Sequence, residues 1–152
     1  MRFLVNVPKQ APNYIERKQV ENDIMEKLST DARMIVLVAL PGMGKTEVAK
    51  RVSHLLARKK QKVLFVTKQK NLSGICSEIL FHLFDEDGMT GNDDIVLQAK
   101  HKLSKLQKDT VIVLDNTENI QGQEDFDDFA QTLLASAPNV KLMITKIGRA
   151  HV

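Results

Sequence analysis

The chain has 152 residues, 43% hydrophobic and 27% charged, with 22 basic and 19 acidic side chains and a net charge of +3. That is one domain's worth of ordinary globular composition, long enough to bury a core, and a charge balance too even to argue for nucleic acid or an acidic membrane. One cysteine, Cys76, excludes an internal disulfide framework; without a signal-peptide pattern or a run near 18 apolar residues, the expectation is a cytoplasmic protein with no membrane and no direct nucleic-acid partner.

Pro8 and Pro12 mark an extended N-terminal arm over residues 1–15. From Glu16 to Ser29, Val20, Ile24, Met25 and Leu28 fall on one helical face, and the continuous apolar run Met34 to Leu40 predicts a strand covered on both sides. Pro41-Gly42-Met43-Gly44 breaks that strand, and Lys45 to Arg58 follows as a helix with Val48, Val52, Leu55 and Leu56 inward. Its end, Arg58-Lys59-Lys60-Gln61-Lys62, reads as a solvated face whose cations suit the helix dipole. Val63 to Val66 is a second strand, about Leu72 to Phe84 a helix, and Asn92 or Asp93 caps another carrying Ile95, Ala99, Leu103 and Leu106. Val111 to Leu114 is the third strand, Asp125 to Ala135 a helix with Phe126, Phe129, Leu133 and Leu134 inward, and Val140 to Ile144 the fourth strand. Strands alternating with helices predict an α/β fold with a parallel sheet in three layers.

Ala39-Leu40-Pro41-Gly42-Met43-Gly44-Lys45-Thr46 fits the Walker A pattern at every position but the first. Glycines let the backbone turn its N–H groups around a phosphate, and the helix that follows aims its positive end at the same anion. The phosphate-binding set is therefore Pro41, Gly42, Met43, Gly44, Lys45, Thr46 and Glu47, with Lys45 on the β- and γ-phosphates and the Thr46 hydroxyl on magnesium. Asp115, directly after the apolar Val111 to Leu114, falls at the carboxyl edge of the sheet, where a Walker B aspartate holds the same Mg2+. The expected ligand is ATP or ADP. Four scattered histidines offer no transition-metal spacing, and the acids Glu124, Asp125, Asp127 and Asp128 suit a helix start.

Taken together, these segments resemble the nucleotide-binding core of the NB-ARC group of STAND ATPases over about residues 8–146. Tyr14-Ile15-Glu16-Arg17 stands where that family carries the stretch before its first helix, ALPGMGKT is similar to its phosphate loop, and Leu114-Asp115-Asn116-Thr117-Glu118 matches one form of its acidic strand. Lys141 to Thr145 looks like its fourth strand, which in the family ends in a threonine-bearing sensor. The resemblance implies a P-loop NTPase domain over 16–146, with Ile15 and Arg17 against adenine and strands ordered 62–67, 110–115, 34–40, 140–145, so that the Walker B strand adjoins the Walker A strand. It also implies a nucleotide-dependent signalling switch that self-associates or signals through effector domains of a longer parent.

Asn116 stands where an aspartate form places a second acid, and an amide cannot take a proton from the attacking water. Glu118 is the substitute base, so the expectation is at most a slow ATPase, with Lys45, Asp115 and Glu118 as its catalytic set. A conventional ATP-hydrolysing motor or kinase is a second reading, weakened because no arginine-bearing lid is visible. A non-catalytic scaffold is a third, opposed by intact Lys45, Thr46 and Asp115. Residues 147–152 coincide with the translation of the sequencing-adapter read ATC GGA AGA GCA CAC GTC, so the coding sequence is expected to stop at about Lys146, and Arg149 is not promoted to a sensor.

Overall fold

The computed structural model describes residues 2–39, 44–86 and 94–148. Within them, strands β1 (Leu4–Val5), β2 (Met34–Ala39), β3 (Lys62–Val66), β4 (Thr110–Leu114) and β5 (Val140–Ile147) alternate with helices α1 (Lys18–Ser29), α2 (Lys45–Arg58), α3 (Leu72–Phe84), α4 (Ile95–Ser104) and α5 (Gln123–Ser136). The strands pair in parallel in the order β1-β3-β4-β5-β2. One face of the sheet packs Val63, Phe65, Val111, Val113 and Met143 under α1 and α2. The other packs Leu64, Val66, Ile112, Leu114, Leu142 and Ile144 under α3, α4 and α5. Strict alternation along β3 and β4 thus feeds two cores at once, and each fully buried aliphatic or aromatic side chain contributes about 1.5–3 kcal/mol.

The three-layer α/β fold matches the sequence expectation, but the strand order does not. β5, not β2, lies beside the acid-bearing β4, and β2 pairs on its other side with β5 alone among the described strands. Burial explains the exchange. Leu142 and Met143 have no exposed surface and Ile144 only 5%, whereas Met34, Val36 and Val38 of β2 stand 39%, 42% and 53% exposed. The strand that is apolar on both faces and fully covered takes the interior. The apolar run of β2, read as buried on both sides, belongs to an edge strand with one face open.

Smaller differences have local causes. Val20 faces solvent on α1, and Glu21 is buried in its place, accepting a hydrogen bond from the Tyr14 hydroxyl at 2.5 Å and from Arg17 N–H at 2.9 Å. α4 is capped by Asp94, whose carboxylate accepts from Leu97 N–H at 3.0 Å; Asn92 and Asp93 lie outside the described residues. β5 continues past Ile144 as far as Ile147, which pairs with Ala39. α2 ends with Lys60 at φ 63°, its N–H bonded to Ala57 O and that of Gln61 to Leu56 O. This is the left-handed stop usually given to glycine, and a side chain there costs about 1 kcal/mol. Among the described residues no helix is long and apolar enough to cross a membrane.

Candidate nucleotide site

The carboxyl ends of β3, β4 and β5 meet the head of α2. Gly44 sits at that head with φ 74°, a left-handed conformation that a side chain would strain. Lys45 is buried, and its ammonium donates to the side-chain oxygen of Asn116. The Thr46 hydroxyl donates to both carboxylate oxygens of Asp115, each at 3.1 Å. Pro41, Gly42 and Met43 lie outside the described residues.

Asp115 is only 5% exposed, and it is surrounded by donors. The Thr67 hydroxyl, just past β3, reaches Oδ2 at 3.2 Å, the Asn116 amide reaches the same oxygen at 3.2 Å, and the Thr145 hydroxyl donates to Oδ1. Thr145 itself has no exposed surface and accepts from Asn116 N–H at 3.0 Å. A buried carboxylate is costly unless it is hydrogen-bonded, and these four donors satisfy it. The strand order makes this possible. Because β5 lies between β4 and β2, Thr145 falls level with Leu37 on one side and one step beyond the Leu114–Ile144 pair on the other. Nothing in the sequence marks Thr67 as a site residue, whereas Thr145 stands where the resemblance places a threonine-bearing sensor. The available signal was a threonine ending an apolar strand level with Asp115.

The remaining candidates are dispersed around this centre. The Arg17 guanidinium lies 3.5 Å from where a β-carbon on Gly44 would stand, so it overhangs the end of the phosphate loop. Ile15, beside it in sequence, is 82% exposed. Glu47 turns its carboxylate to the N-terminal arm, accepting from Gln10 Nε2 at 2.6 Å, Ala11 N–H at 3.1 Å and Lys50 Nζ at 2.9 Å. Burial works to raise the Glu47 carboxyl, but these three donors outweigh it and hold it below its ordinary value. Glu118 accepts from Ile147 N–H at 2.7 Å and from the Asn119 amide at 3.2 Å, so its carboxylate fastens the end of β5.

The donor set fits magnesium. Hydroxyl and carboxylate oxygens are the hard ligands this ion takes, and it is commonly held by one or two carboxylates with phosphate and water completing its shell. Thr46 and Asp115 already touch.

The chain is similar in fold to Cdc6p from Pyrobaculum aerophilum, with a TM-score of 0.70 at 20% identity over 93% of this chain and 41% of that one. It is also similar to the Orc1 protein of Aeropyrum pernix in complex with DNA, with a TM-score of 0.67 at 18% identity over 90% and 40% of the two chains. A third likeness is to the Drosophila ORC structure bound to AT-rich DNA and Cdc6, with a TM-score of 0.62 at 15% identity over 86% and 46%. The chain spans less than half the length of each, and identities this low show the fold alone. No curated relative matches the sequence. Two of these structures contain DNA, which overturns the expectation of no nucleic-acid partner. That expectation rested on net charge, which sums over the whole surface, while phosphates meet only a local one. A family model described as an AAA domain matches residues 27–148, and the chain belongs to that family of P-loop nucleotide-binding domains.

Proposed function

We propose that this domain binds ATP or ADP with magnesium and serves as a nucleotide-dependent switch of the STAND kind, hydrolysing slowly or not at all. The observation that carries the reading is the grouping of Lys45, Thr46, Asp115 and Thr145 around one point, with an amide at Asn116 where a base would stand. Lys45 would exchange Asn116 for the β- and γ-phosphates, and Thr46 with Asp115 would hold the metal. Magnesium, when bound, neutralises charge on the terminal phosphates. The side chain of Arg17 is positioned to reach the nucleotide from above Gly44, and exposed Ile15 to lie against the base. Glu118, bonded to Ile147 N–H, is committed to backbone rather than to an attacking water. A base missing from beside the γ-phosphate forfeits about 10²–10⁴-fold in rate. Burial pushes the Cys76 thiol up to about 12, so it stays protonated and plays no part in this chemistry.

Purified chain carried through gel filtration tests this. Retained ADP, lost in Lys45→Ala, with negligible phosphate release supports a switch. Fast turnover favours a conventional ATPase, and unchanged nucleotide affinity in Lys45→Ala refutes the site.

A second reading concerns the protein's target. The Aeropyrum pernix Orc1 and Drosophila ORC structures contain DNA, and we propose on that likeness that this chain also engages DNA.

A further inference from the structure

The nucleotide centre occupies the carboxyl edge of the sheet, and the opposite, amino edge is unexpectedly basic. The run Arg58-Lys59-Lys60-Gln61-Lys62 leads into β3, and Lys105-Leu106-Gln107-Lys108-Asp109 leads into β4. Their strands are neighbours, with Lys62 level with Thr110 and its N–H directed at Asp109 O at 3.4 Å. The N-terminus joins them. Val63 N–H donates to Phe3 O at 2.8 Å, the Lys108 ammonium lies 4.3 Å from the centre of the Phe3 ring, and Arg2 is exposed beside it. Three separate segments thus bring seven cations to one edge, against Asp109 as the one carboxylate in the two loops. Arg58, Lys59, Lys60, Lys62 and Lys105 form no salt bridge among the described residues.

Helix dipoles explain part of this, because α2 and α4 end here and cations suit helix C-termini. That effect fades beyond the last turn. Lys60 stands in the left-handed stop, Lys62 in β3 and Lys108 three residues past the cap of α4, so the dipole does not account for them.

We infer that this amino edge binds the phosphate backbone of duplex DNA, on the face opposite the nucleotide. The inference rests on the reading that the chain engages DNA, and names the surface. A membrane surface would want an apolar side chain to insert, and a single strand would want a free aromatic for stacking. No exposed large apolar residue lies among these segments, and Phe3 is covered by Lys108. Exposed cations such as Arg58, Lys59, Lys60 and Lys105, with no aromatic free beside them, suit sequence-independent phosphate contact.

The test is fluorescence anisotropy of the whole chain with a labelled duplex across a salt series. A triple variant, Lys59→Ala with Lys60→Gly and Lys105→Ala, should lose at least about tenfold in affinity, and its slope of log K against log salt should shrink by about 2.7. Lys60→Gly also relieves the left-handed backbone, so its melting temperature should rise while binding falls, which separates folding from contact. Lys68→Ala with Lys70→Ala, at the carboxyl edge, should leave binding within about twofold. Loss in that control while the triple variant binds normally would keep the DNA reading and overturn this surface. Absence of duplex binding by the parent chain, or binding only to phosphatidylserine vesicles, would remove both.

Discussion

Replacing Thr145 by valine keeps the shape of a fully buried side chain and deletes one hydroxyl. That hydroxyl donates to Asp115 and accepts from Asn116 N–H, so the change removes one hydrogen bond to a charged group and strands one backbone donor. Asp115 keeps Thr46, Thr67 and the Asn116 amide, which limits the damage to the carboxylate itself. A bond to a charged group contributes about 1.5–3 kcal/mol and an unpaired donor costs about 1–3, and the two overlap, so the expected loss is about 3 kcal/mol. For a chain of this size that lowers the melting temperature by about 6–12 °C. Thr145→Ser keeps both bonds and loses a methyl group, at about 1 kcal/mol. Urea unfolding followed by circular dichroism measures both, with an unchanged m-value as the sign that only stability moved. A valine variant within about 0.5 kcal/mol of the parent, or a serine variant as damaged as valine, would refute the bonding scheme around Asp115.

Tyr14 is the sole tyrosine in a chain without tryptophan, so its ionisation can be read directly by ultraviolet absorbance. Burial first, and then the bond to Glu21, raise its phenol from 10.0 to about 12; a titration midpoint near 10 in the folded chain would show that the ring is neither buried nor bonded in this way. Because the folded value is the higher one, the stabilisation is complete below about 10 and disappears as pH climbs through the folded value. Glu47→Gln should destabilise at neutral pH and cost progressively less on acidification. Its folded carboxyl lies below 4.5, so the unfolded chain takes up the proton first; a penalty in urea midpoints that is constant between neutral and acidic pH would contradict this. Val36→Lys with Val38→Lys places charge on the open face of β2 and should suppress self-association seen by light scattering, with little change in nucleotide affinity.

What was legible from sequence was what is local. A glycine turn between an apolar run and a helix start announces itself within eight residues, and Asp115 follows its own strand directly. Strand order is not local. β2 and β5 are both apolar runs, and only the packing of α5 against the sheet decides which is covered. That one exchange also hid the part played by Thr145, which lies beside Asp115 only because β5 is interior. Glu21 illustrates a second blind spot. A glutamate on a helix reads as solvent-facing, and its burial becomes affordable only when Tyr14 and Arg17 N–H, four to seven residues upstream, turn back to meet it. The basic amino edge is only half visible in the sequence: the run Arg58 to Lys62 stands out and reads as a solvated face, but Lys105 and Lys108, more than 40 residues further on, join it only through strand pairing.

The attachment of Glu47 makes the N-terminal arm a latch on the nucleotide-binding helix. Two residues after the lysine that would meet the phosphates, this side chain grips Gln10 and Ala11, and the same arm runs back to lay Leu4 alongside Val63 at the far flank of the sheet. A shift of the helix head therefore pulls on a tether anchored near the basic edge. The arm thus ties the head of α2 to the opposite flank of the sheet, with Val5 buried in the core between the two attachments.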